Sequence, residues 1–571
     1  GEYEFAENDL KVHQQLPPIE HAGGKIEFSE SGFAVHDVQG TLFGGGVAIA
    51  GGSRPGGEVE MLAGGDATIA GTSAHFDHPW ARHLSGSATY TASVNIREGL
   101  MRVAIESSLR GVGSTLPAPL EKAPGDTLPL RFEMTTNDAG ASDRVSLSLG
   151  RIAAVAMARR KQNDAMTSQR TAIVLGPAAG QAVRLQERPG TVIRGSLATL
   201  DVDRWMPLLP RGEGAAQAAL IDLKFATLDA FGKRVRNLAL KANSGAAGWT
   251  ANVSADELAG ELAFRSEGGG HLRARLAHFT VPPDSPGATP RAPRQPAELP
   301  GIDFIAERFS YRGRELGRVE LAGLRAGDEW LIERIAIDNS DSSFKGRGAW
   351  RGGAPSRSTL NFELDTNDAG QFLERTGHPG LVKGGKARLT GSLAWDGNPG
   401  GLDYPTLSGD LQLRADTGQF LEIEPGIGKL ISLMSLQALP RRIALDFRDV
   451  FSKGFRFDRI ASSAHLEGGV MALKDFRMRG SSAEVEMSGQ VDLELETQDL
   501  RVRIVPSLGD SASTAVAIIN PVAGVAAAFA QRVLKNPLGQ IFAFDYSVSG
   551  SWSDPKVAKI GVPQTSDVIS P

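Results

Sequence analysis

Three histidines and an aspartate are the first candidates for chemistry in this chain. His75, Asp77, His78 and His83 lie close together in one segment. Imidazole and carboxylate groups are common ligands of transition metals. Their spacing matches no zinc pattern, however, and Pro79 would break any helix that could align the side chains on one face. The segment is therefore interpreted as a surface loop rather than a metal site.

The remaining motifs do not favour catalysis either. The glycine-rich stretch 346–353 lacks the spacing and the following helix of a phosphate-binding loop. The acidic pairs Glu422/Glu424 and Asp446/Asp449 could act as acid and base, but on alternating strands they are more simply part of a solvated face. The sequence has no Cys and no G-x-S-x-G elbow. We therefore expect a protein that is not an enzyme and that uses no cofactor or metal.

The dominant pattern, from about Leu411 to Ile504, is an alternation of apolar and charged residues, as in the run 500–504 (LRVRI). Successive side chains of a strand point to opposite faces. The region is therefore predicted to form an antiparallel sheet with one apolar and one charged face. Because no regular amphipathic helices separate the strands, the apolar face must close on another sheet or hold something apolar. Alternation alone does not distinguish a groove from a β-sandwich.

Glycine interrupts many of these strands and is often followed by an aromatic residue. The chain contains 68 Gly and 31 Pro, as expected of many tight turns. The recurring stretches are interpreted as degenerate repeats of strand pairs: 344–350, 389–395, 487–491 and 548–552, with 47–51 and 67–71 in the N-terminal half.

Helices are expected to be few and short. They are predicted over Asp201–Leu209, Asp368–Thr376 and Ile427–Leu439. Val281–Pro300 contains seven prolines and is predicted to be a linker or long loop. The charged stretch Arg159–Arg170 is predicted to be a surface loop.

A second apolar segment, 511–537, is predicted to be an amphipathic helical segment. Asn520-Pro521 interrupts it, so it is not a clean transmembrane span, and Arg532 and Lys535 lie near its end, where cations favour anionic headgroups. It is expected to contact a membrane, to plug the sheet, or both. Its candidate membrane-contact residues are Val516, Ile518, Ile519, Val522, Val525, Phe529, Val533 and Leu534.

The bulk properties restrict the classes of partner. The net charge of −5 over 571 residues gives no basic surface for nucleic acid. The lack of Cys is compatible with an oxidising compartment. Because the chain begins at Gly1 and opens directly in strand-like sequence, we expect a fragment of a longer protein.

Several segments of the C-terminal half are similar to those of one known family. The runs 418–430, 435–442, 445–451, 496–500, 520–524 and 550–555 resemble the C-terminal AsmA-like region of the YhdP family. The resemblance is dense from about Gly301 to Val557. It is weaker in 116–120 and 203–205.

This resemblance implies a bridge-like lipid transfer protein of the Gram-negative envelope, related to AsmA and TamB. It implies a mainly β fold, an elongated antiparallel sheet curled into a taco-like hydrophobic groove, that carries phospholipid across the periplasm to the outer membrane. It also implies an inner-membrane anchor in an N-terminal part missing from this chain, and outer-membrane contact at the C-terminal helices. The expected division is 1–280, N-terminal part of the groove; 281–300, Pro-rich loop; 301–510, AsmA-like groove; 511–537, apolar helical segment; 538–571, terminal strands and tail.

The inward-facing apolar positions are mostly aliphatic, with some Phe and Met, which suits phospholipid acyl chains. The candidate groove residues are Leu411, Leu413, Ile443, Leu445, Phe447, Phe455, Phe457, Phe476, Met478, Val485, Met487, Val491, Leu493, Leu495, Leu500, Val502 and Ile504. Two other functions stay open: a TamB-like chaperone role in outer-membrane protein assembly, through pairing of an open strand edge with a client, and a structural β-solenoid. A polysaccharide-active enzyme is disfavoured because no acid/base pair stands out.

Overall fold

The computed structural model describes residues 1–11, 18–76, 78–137, 140–163, 165–209, 218–286, 295–421, 455–481, 483–506 and 543–560. The predicted helices at 427–439 and 511–537 lie outside these residues. So do three groove candidates, Ile443, Leu445 and Phe447, and all eight membrane-contact candidates.

The chain forms two compact units. Unit 1 comprises Gly1–Glu267 with Pro282–Arg291, and unit 2 comprises Gly268–Val281 with Ala292–Pro571. Both are built mainly of β-strands, in sheets that curl without closing.

Unit 1 holds the following described strands: β1 (Glu2–Leu10), β2 (Ile19–Ser29), β3 (Gly32–Leu42), β4 (Gly45–Ser53), β5 (Val59–Thr68), β6 (Leu84–Arg97), β7 (Leu100–Ser107), β8 (Val112–Ser114), β9 (Leu130–Asn137), β10 (Ser142–Leu149), β11 (Ala153–Gln162), β12 (Ala165–Leu175), β13 (Gly190–Asp201), β14 (Ala219–Ala230), β15 (Lys233–Gly245), β16 (Gly248–Ser254) and β17 (Leu258–Arg265).

Unit 2 holds the following described strands: β18 (His271–Thr280), β19 (Gly301–Tyr311), β20 (Arg314–Ala326), β21 (Glu329–Asp338), β22 (Ser342–Arg351), β23 (Arg357–Thr366), β24 (Val382–Asp396), β25 (Ser408–Phe420), β26 (Phe455–Glu467), β27 (Val470–Arg479), β28 (Ala483–Asp492), β29 (Thr497–Pro506), β30 (Phe544–Ser551) and β31 (Pro555–Ile560).

Three short α-helices lie among the described residues: α1 (Ile69–His75), α2 (Val202–Trp205) and α3 (Ala369–Thr376). The predicted helices at 201–209 and 368–376 are thus confirmed. Asp201 and Asp368 cap them by accepting hydrogen bonds from backbone N–H groups. Gly377, with φ of 104°, ends α3 in the left-handed conformation that glycine adopts without strain.

Most consecutive strands pair side by side, mainly antiparallel, whereas β8 pairs with β6 and β9 pairs with β7. The hairpin between β26 and β27 shows how the turns are made: Gly468 and Gly469 both have positive φ, 57° and 78°. A two-residue turn of this kind has the twist that matches its flanking strands. Parallel pairing occurs between β12 and β13, β13 and β14, and β18 and β19.

Parallel pairing gives the Pro-rich segment a structural role. A parallel pair needs a crossover that returns the chain to the same end of the sheet. Val281–Pro300 connects β18 to β19 along the chain, and its residues 287–294 lie outside the ranges that the structure describes.

Three predictions of local structure were wrong. The stretch 159–170 is not a loop but the paired ends of β11 and β12, where Arg159 is satisfied by an ion pair 2.6 Å from the buried carboxylate of Asp143. The strand predicted through 67–71 ends at Thr68, whose Oγ1 accepts a hydrogen bond from the Gly71 N–H and caps α1. The strand predicted to reach Leu495 ends at Asp492.

Candidate hydrophobic groove

The strand register of unit 2 aligns apolar residues into a continuous row across the sheet. Each of the fourteen strands β18–β31 contributes one residue, and every member is apolar or glycine. This central row consists of Ala274, Phe304, Leu321, Ile335, Gly346, Phe362, Gly391, Leu411, Ala464, Leu473, Gly489, Leu500, Val548 and Val557. With neighbouring strands about 4.8 Å apart, the row is about 60 Å long.

Two further rows flank the central row on the same face, which we call the apolar face. One contains Leu276, Ala306, Val319, Ile337, Phe344, Leu364, Leu389 and Leu413. The other contains Leu272, Ile302, Gly323, Ile332, Gly348, Leu360, Leu393, Gly409, Leu466, Met471 and Val491.

Burial changes along the central row. From β19 to β25 all of its members, including Phe362 and Leu411, are only half-buried. From β26 onward most side chains of the apolar face are enclosed: Leu500 is 1% exposed and Val548 is 0% exposed. The apolar face therefore has an open stretch, β19–β25, and a closed stretch, β26–β30.

Two tryptophan side chains border the open stretch at one end of its strands, and a short helix borders it at the other end. At one end Trp330 and Trp350 are paired across β21 and β22 and buried, and the Trp330 indole N–H donates to the Pro300 carbonyl at 3.0 Å. At the other end α3 packs against β24 and β20. There Arg375 of α3 forms an ion pair of 2.6 Å with the buried Asp341. The half-buried members of the central row lie between these two borders.

Unit 1 has a row of the same kind. It takes one apolar residue from each of fourteen strands, β3–β7 and β9–β17: Val38, Ile49, Ala63, Ala92, Ile105, Phe132, Leu147, Val155, Ile173, Ile193, Ile221, Ala242, Ala251 and Leu262. Most are half-buried, and Leu147 is 37% exposed.

One buried polar group lies in the neighbouring row of the unit 1 face. Tyr90 lies opposite Gly65 and is 7% exposed. Burial, reinforced by the negative charge of Asp66, raises the pKa of its phenol to about 12. The side chain therefore stays neutral at physiological pH and brings no charge to this face.

In unit 2, the face opposite the apolar face carries charged residues. On β27 and β28, Arg477 and Arg479 lie opposite Glu486 and Glu484, at 3.4 and 3.0 Å. On β24, a hydrogen bond to Asp365 raises the pKa of Arg388. These pairs are solvent-exposed and contribute little to stability. They mark the face that stays in water.

Most of the described groove candidates lie on the apolar face, but largely in its closed stretch. Leu411 and Leu413 are half-buried. The following are buried: Phe455, Phe457, Phe476, Met478, Val485, Met487, Val491, Leu493, Leu500, Val502 and Ile504. Leu495 differs from all of these, because it lies in the turn after β28 and is 68% exposed.

Apart from Leu411 and Leu413 on β25, sequence reasoning missed the residues of the open stretch. They include Phe304, Leu321, Ile335 and Phe362, and unit 1 contributes its own row. The same alternation could have found them, for example in the run 360–364 (LNFEL). The run does not reveal which other parts of the protein will lie over its apolar side chains.

The histidine segment does not assemble a metal site among the described residues. His75 ends α1, with Nδ1 3.1 Å from the Gly71 carbonyl, and His78 accepts a hydrogen bond from the Trp80 backbone N–H at 3.3 Å. No group of three or more His, Cys, Asp or Glu side chains comes together in the ranges that the structure describes. In the same ranges, no helix is long and apolar enough to cross a membrane.

Comparison with known proteins gives one family and one curated relative. A family model described as YhdP protein matches residues 1–557. The chain is also similar to the intermembrane phospholipid transporter YhdP of Escherichia coli (strain K12), with 24% identity over 508 residues. The match covers 84% of this chain and 39% of that protein, so the chain spans less than half the length of that relative. No solved structure matches.

Proposed function

The chain belongs to the YhdP protein family, and we propose that it holds phospholipid acyl chains on its apolar face and conducts them across the periplasm. The open stretch of the central row is the observation that carries this proposal. Seven successive strands, β19–β25, contribute apolar residues or glycine that stay half-buried instead of being packed into a core. A sliding acyl chain requires such a continuous apolar path. The name of the E. coli relative, intermembrane phospholipid transporter YhdP, supports the same function.

The physical role of the groove is to replace the apolar contacts that an acyl chain loses when it leaves a bilayer. Exposing an acyl chain to water costs about 0.8 kcal/mol per CH₂ group. An apolar surface of constant character compensates for this cost equally at each step, so that movement along it is nearly level in free energy. The open stretch β19–β25 makes up about 30 Å of the central row, about twice the ~15 Å that one leaflet of a 30 Å hydrocarbon core provides. More than one lipid could therefore occupy it in succession.

The polar headgroup stays in water in this proposal. Moving a phosphate into apolar surroundings is strongly disfavoured, whereas the open stretch β19–β25 leaves its half-buried floor accessible from solvent. Acyl chains lie along the rows and headgroups project outward. No covalent step is involved, and we propose that the chain is not an enzyme.

The membrane contacts belong to the same proposal. We assign the inner-membrane anchor to a part of the protein outside this chain, and delivery to the outer membrane to the segment 511–537. The family assignment supports a periplasmic location between the two membranes.

Mass spectrometry of the molecules that co-purify with the chain tests the function. We expect phospholipid in the native protein and much less in a variant with Phe362→Asp, which places a charge in the open stretch. A bound extended peptide in place of phospholipid would instead support a role in outer-membrane protein assembly. Recovery of neither molecule would contradict transport by this face.

A further inference from the structure

Aromatic rings on the apolar face of unit 2 lie flat over glycines of neighbouring strands. Phe362 on β23 is directly opposite Gly391 on β24. A β-carbon built on Gly391 would lie 2.6 Å from Cε1 of Phe362 and 2.6 Å from Cδ2 of Leu411. The ring therefore occupies the space where residue 391 would carry a side chain. This position explains why Phe362 is half-buried on an open face.

The same arrangement recurs at two other places on this face. Phe457 on β26 lies opposite Gly418 on β25, and its Cζ atom is 2.5 Å from where a β-carbon of Gly418 would be. The indole of Trp330 on β21 similarly fills the space above Gly323 on β20. In all three cases a large ring folds sideways over a neighbouring strand instead of standing up from the sheet.

The strand register aligns the glycines of the repeated sequence stretches. Gly346, Gly391 and Gly489 come from three different repeats, and all three fall in the central row. Trp350 and Trp395, four residues after the first two glycines, are both buried at the border of the face. The repeats of Gly346 and Gly391 therefore share one geometry, with a glycine in the central row and a tryptophan at the border of the face, and the repeat of Gly489 shares the glycine position alone.

We propose that these glycines keep the floor of the groove level, and that Gly391 holds the ring of Phe362 out of the path of a lengthwise-moving, unbranched acyl chain. Phe344 extends the level patch, since its ring stacks on that of Phe362 with centroids 5.8 Å apart and planes at 26°. A side chain at position 391 would push Phe362 upward and create a step across the central row. This proposal rests on the proposed function, and it adds the structural feature that makes passage smooth.

The test measures the uptake of phosphatidylglycerol with a fluorescent acyl chain, offered in vesicles to the full chain. We expect Gly391→Val to slow uptake about tenfold, although it introduces no charge and valine is well suited to strands. Adding Phe362→Ala to this variant should restore uptake to near the native rate, because the displaced ring is then gone. Gly391→Ala, which adds only the clashing β-carbon, should give a smaller effect of the same sign. If circular dichroism shows that Gly391→Val does not fold, Gly391→Ala takes its place in the test.

Gly401→Val is the matched control, because a β-carbon there would meet no atom within 4 Å and its φ is not positive. It should leave uptake unchanged. Native-like uptake by folded Gly391→Val, or a double variant as slow as Gly391→Val, would overturn the levelling role and leave transport intact. If the native chain itself takes up no labelled lipid, both the proposed function and this inference fail.

Discussion

Met478 and Val485 lie directly opposite each other on β27 and β28, and neither side chain is exposed to solvent. Their strand neighbours on the other face, Arg477 and Glu486, form an exposed ion pair. The closed stretch of the apolar face is therefore packed like a protein core. Substitutions there should act on stability, whereas substitutions in the open stretch should act on lipid.

Truncation of a closed-stretch side chain should be costly. We expect Met478→Ala to lower the free energy of unfolding by about 2–5 kcal/mol, the range for large-to-small changes in a packed core. Leu411→Ala, in the half-buried part of the central row, is the matched control and should cost clearly less. Urea denaturation measures both. Equal losses would show that β19–β25 is also packed and has no open floor.

A charge in the open stretch should abolish lipid binding without unfolding the sheet. Phe362→Asp places a carboxylate beside acyl chains, where its desolvation is strongly unfavourable, and we expect more than tenfold less co-purified phospholipid. The side chain is half-buried, so circular dichroism should remain native-like. Glu363→Asn, on the charged face of the same strand, should change neither reading. Unfolding of Phe362→Asp would place this residue in a core rather than a groove.

One ion pair in unit 1 should make stability depend on pH. Hydrogen bonds from Arg234, at 2.7 and 2.6 Å, lower the pKa of Asp229 below its ordinary value of 3.8, and Ser285 adds another. Unfolding restores the ordinary pKa, so this stabilisation is complete well above about pH 4 and is lost as the pH falls through the lowered value. The variant Asp229→Asn should be less stable than the native chain near pH 7, and the difference should shrink near pH 3. A constant difference between the two pH values would rule out this linkage.

Two distant segments of unit 1 are joined by a tryptophan. The Trp205 indole N–H donates to the Ala118 carbonyl at 3.0 Å, and Trp80 packs against Trp205 with centroids 5.6 Å apart. Trp205→Phe keeps an aromatic ring but removes the donor and part of the ring surface that packs against Trp80. We expect a loss of about 1 kcal/mol, as for one net hydrogen bond, with faster amide exchange around 116–120. Unchanged exchange there would mean that the bond does not hold this loop.

The sequence was most informative where the structure is periodic. The alternation around Met478 and Val502 predicted both the strands and the two faces, because the side-chain period of a strand is two residues. The capped helix after Asp368 was predictable because its start and stop signals are local. The segments 116–120 and 203–205 resembled the family separately, but only the fold shows that Trp205 and Ala118 touch.

Some features depend on strand register or on which distant segments lie over the sheet, and these were not predictable from the sequence. The alignment of Gly346 with Gly391 and Gly489 results from turn lengths and bulges between strands, such as the shift between Ile332 and Ile335. Burial of Ile504 and partial exposure of Phe362 depend on what lies above the sheet, and both residues sit in similar alternating runs. For this reason the sequence candidates fell mainly in the closed stretch.

The most direct test of the groove is a photo-crosslinking scan along one strand in lipid-loaded protein. A photo-reactive phenylalanine analogue would be placed singly at six consecutive positions of β23: Leu360, Asn361, Phe362, Glu363, Leu364 and Asp365. We expect phospholipid adducts at Leu360, Phe362 and Leu364, which face the apolar side, and only background at the three positions between them. Adducts without this two-residue period, or none at the apolar positions while phospholipid still co-purifies, would contradict transport along this face.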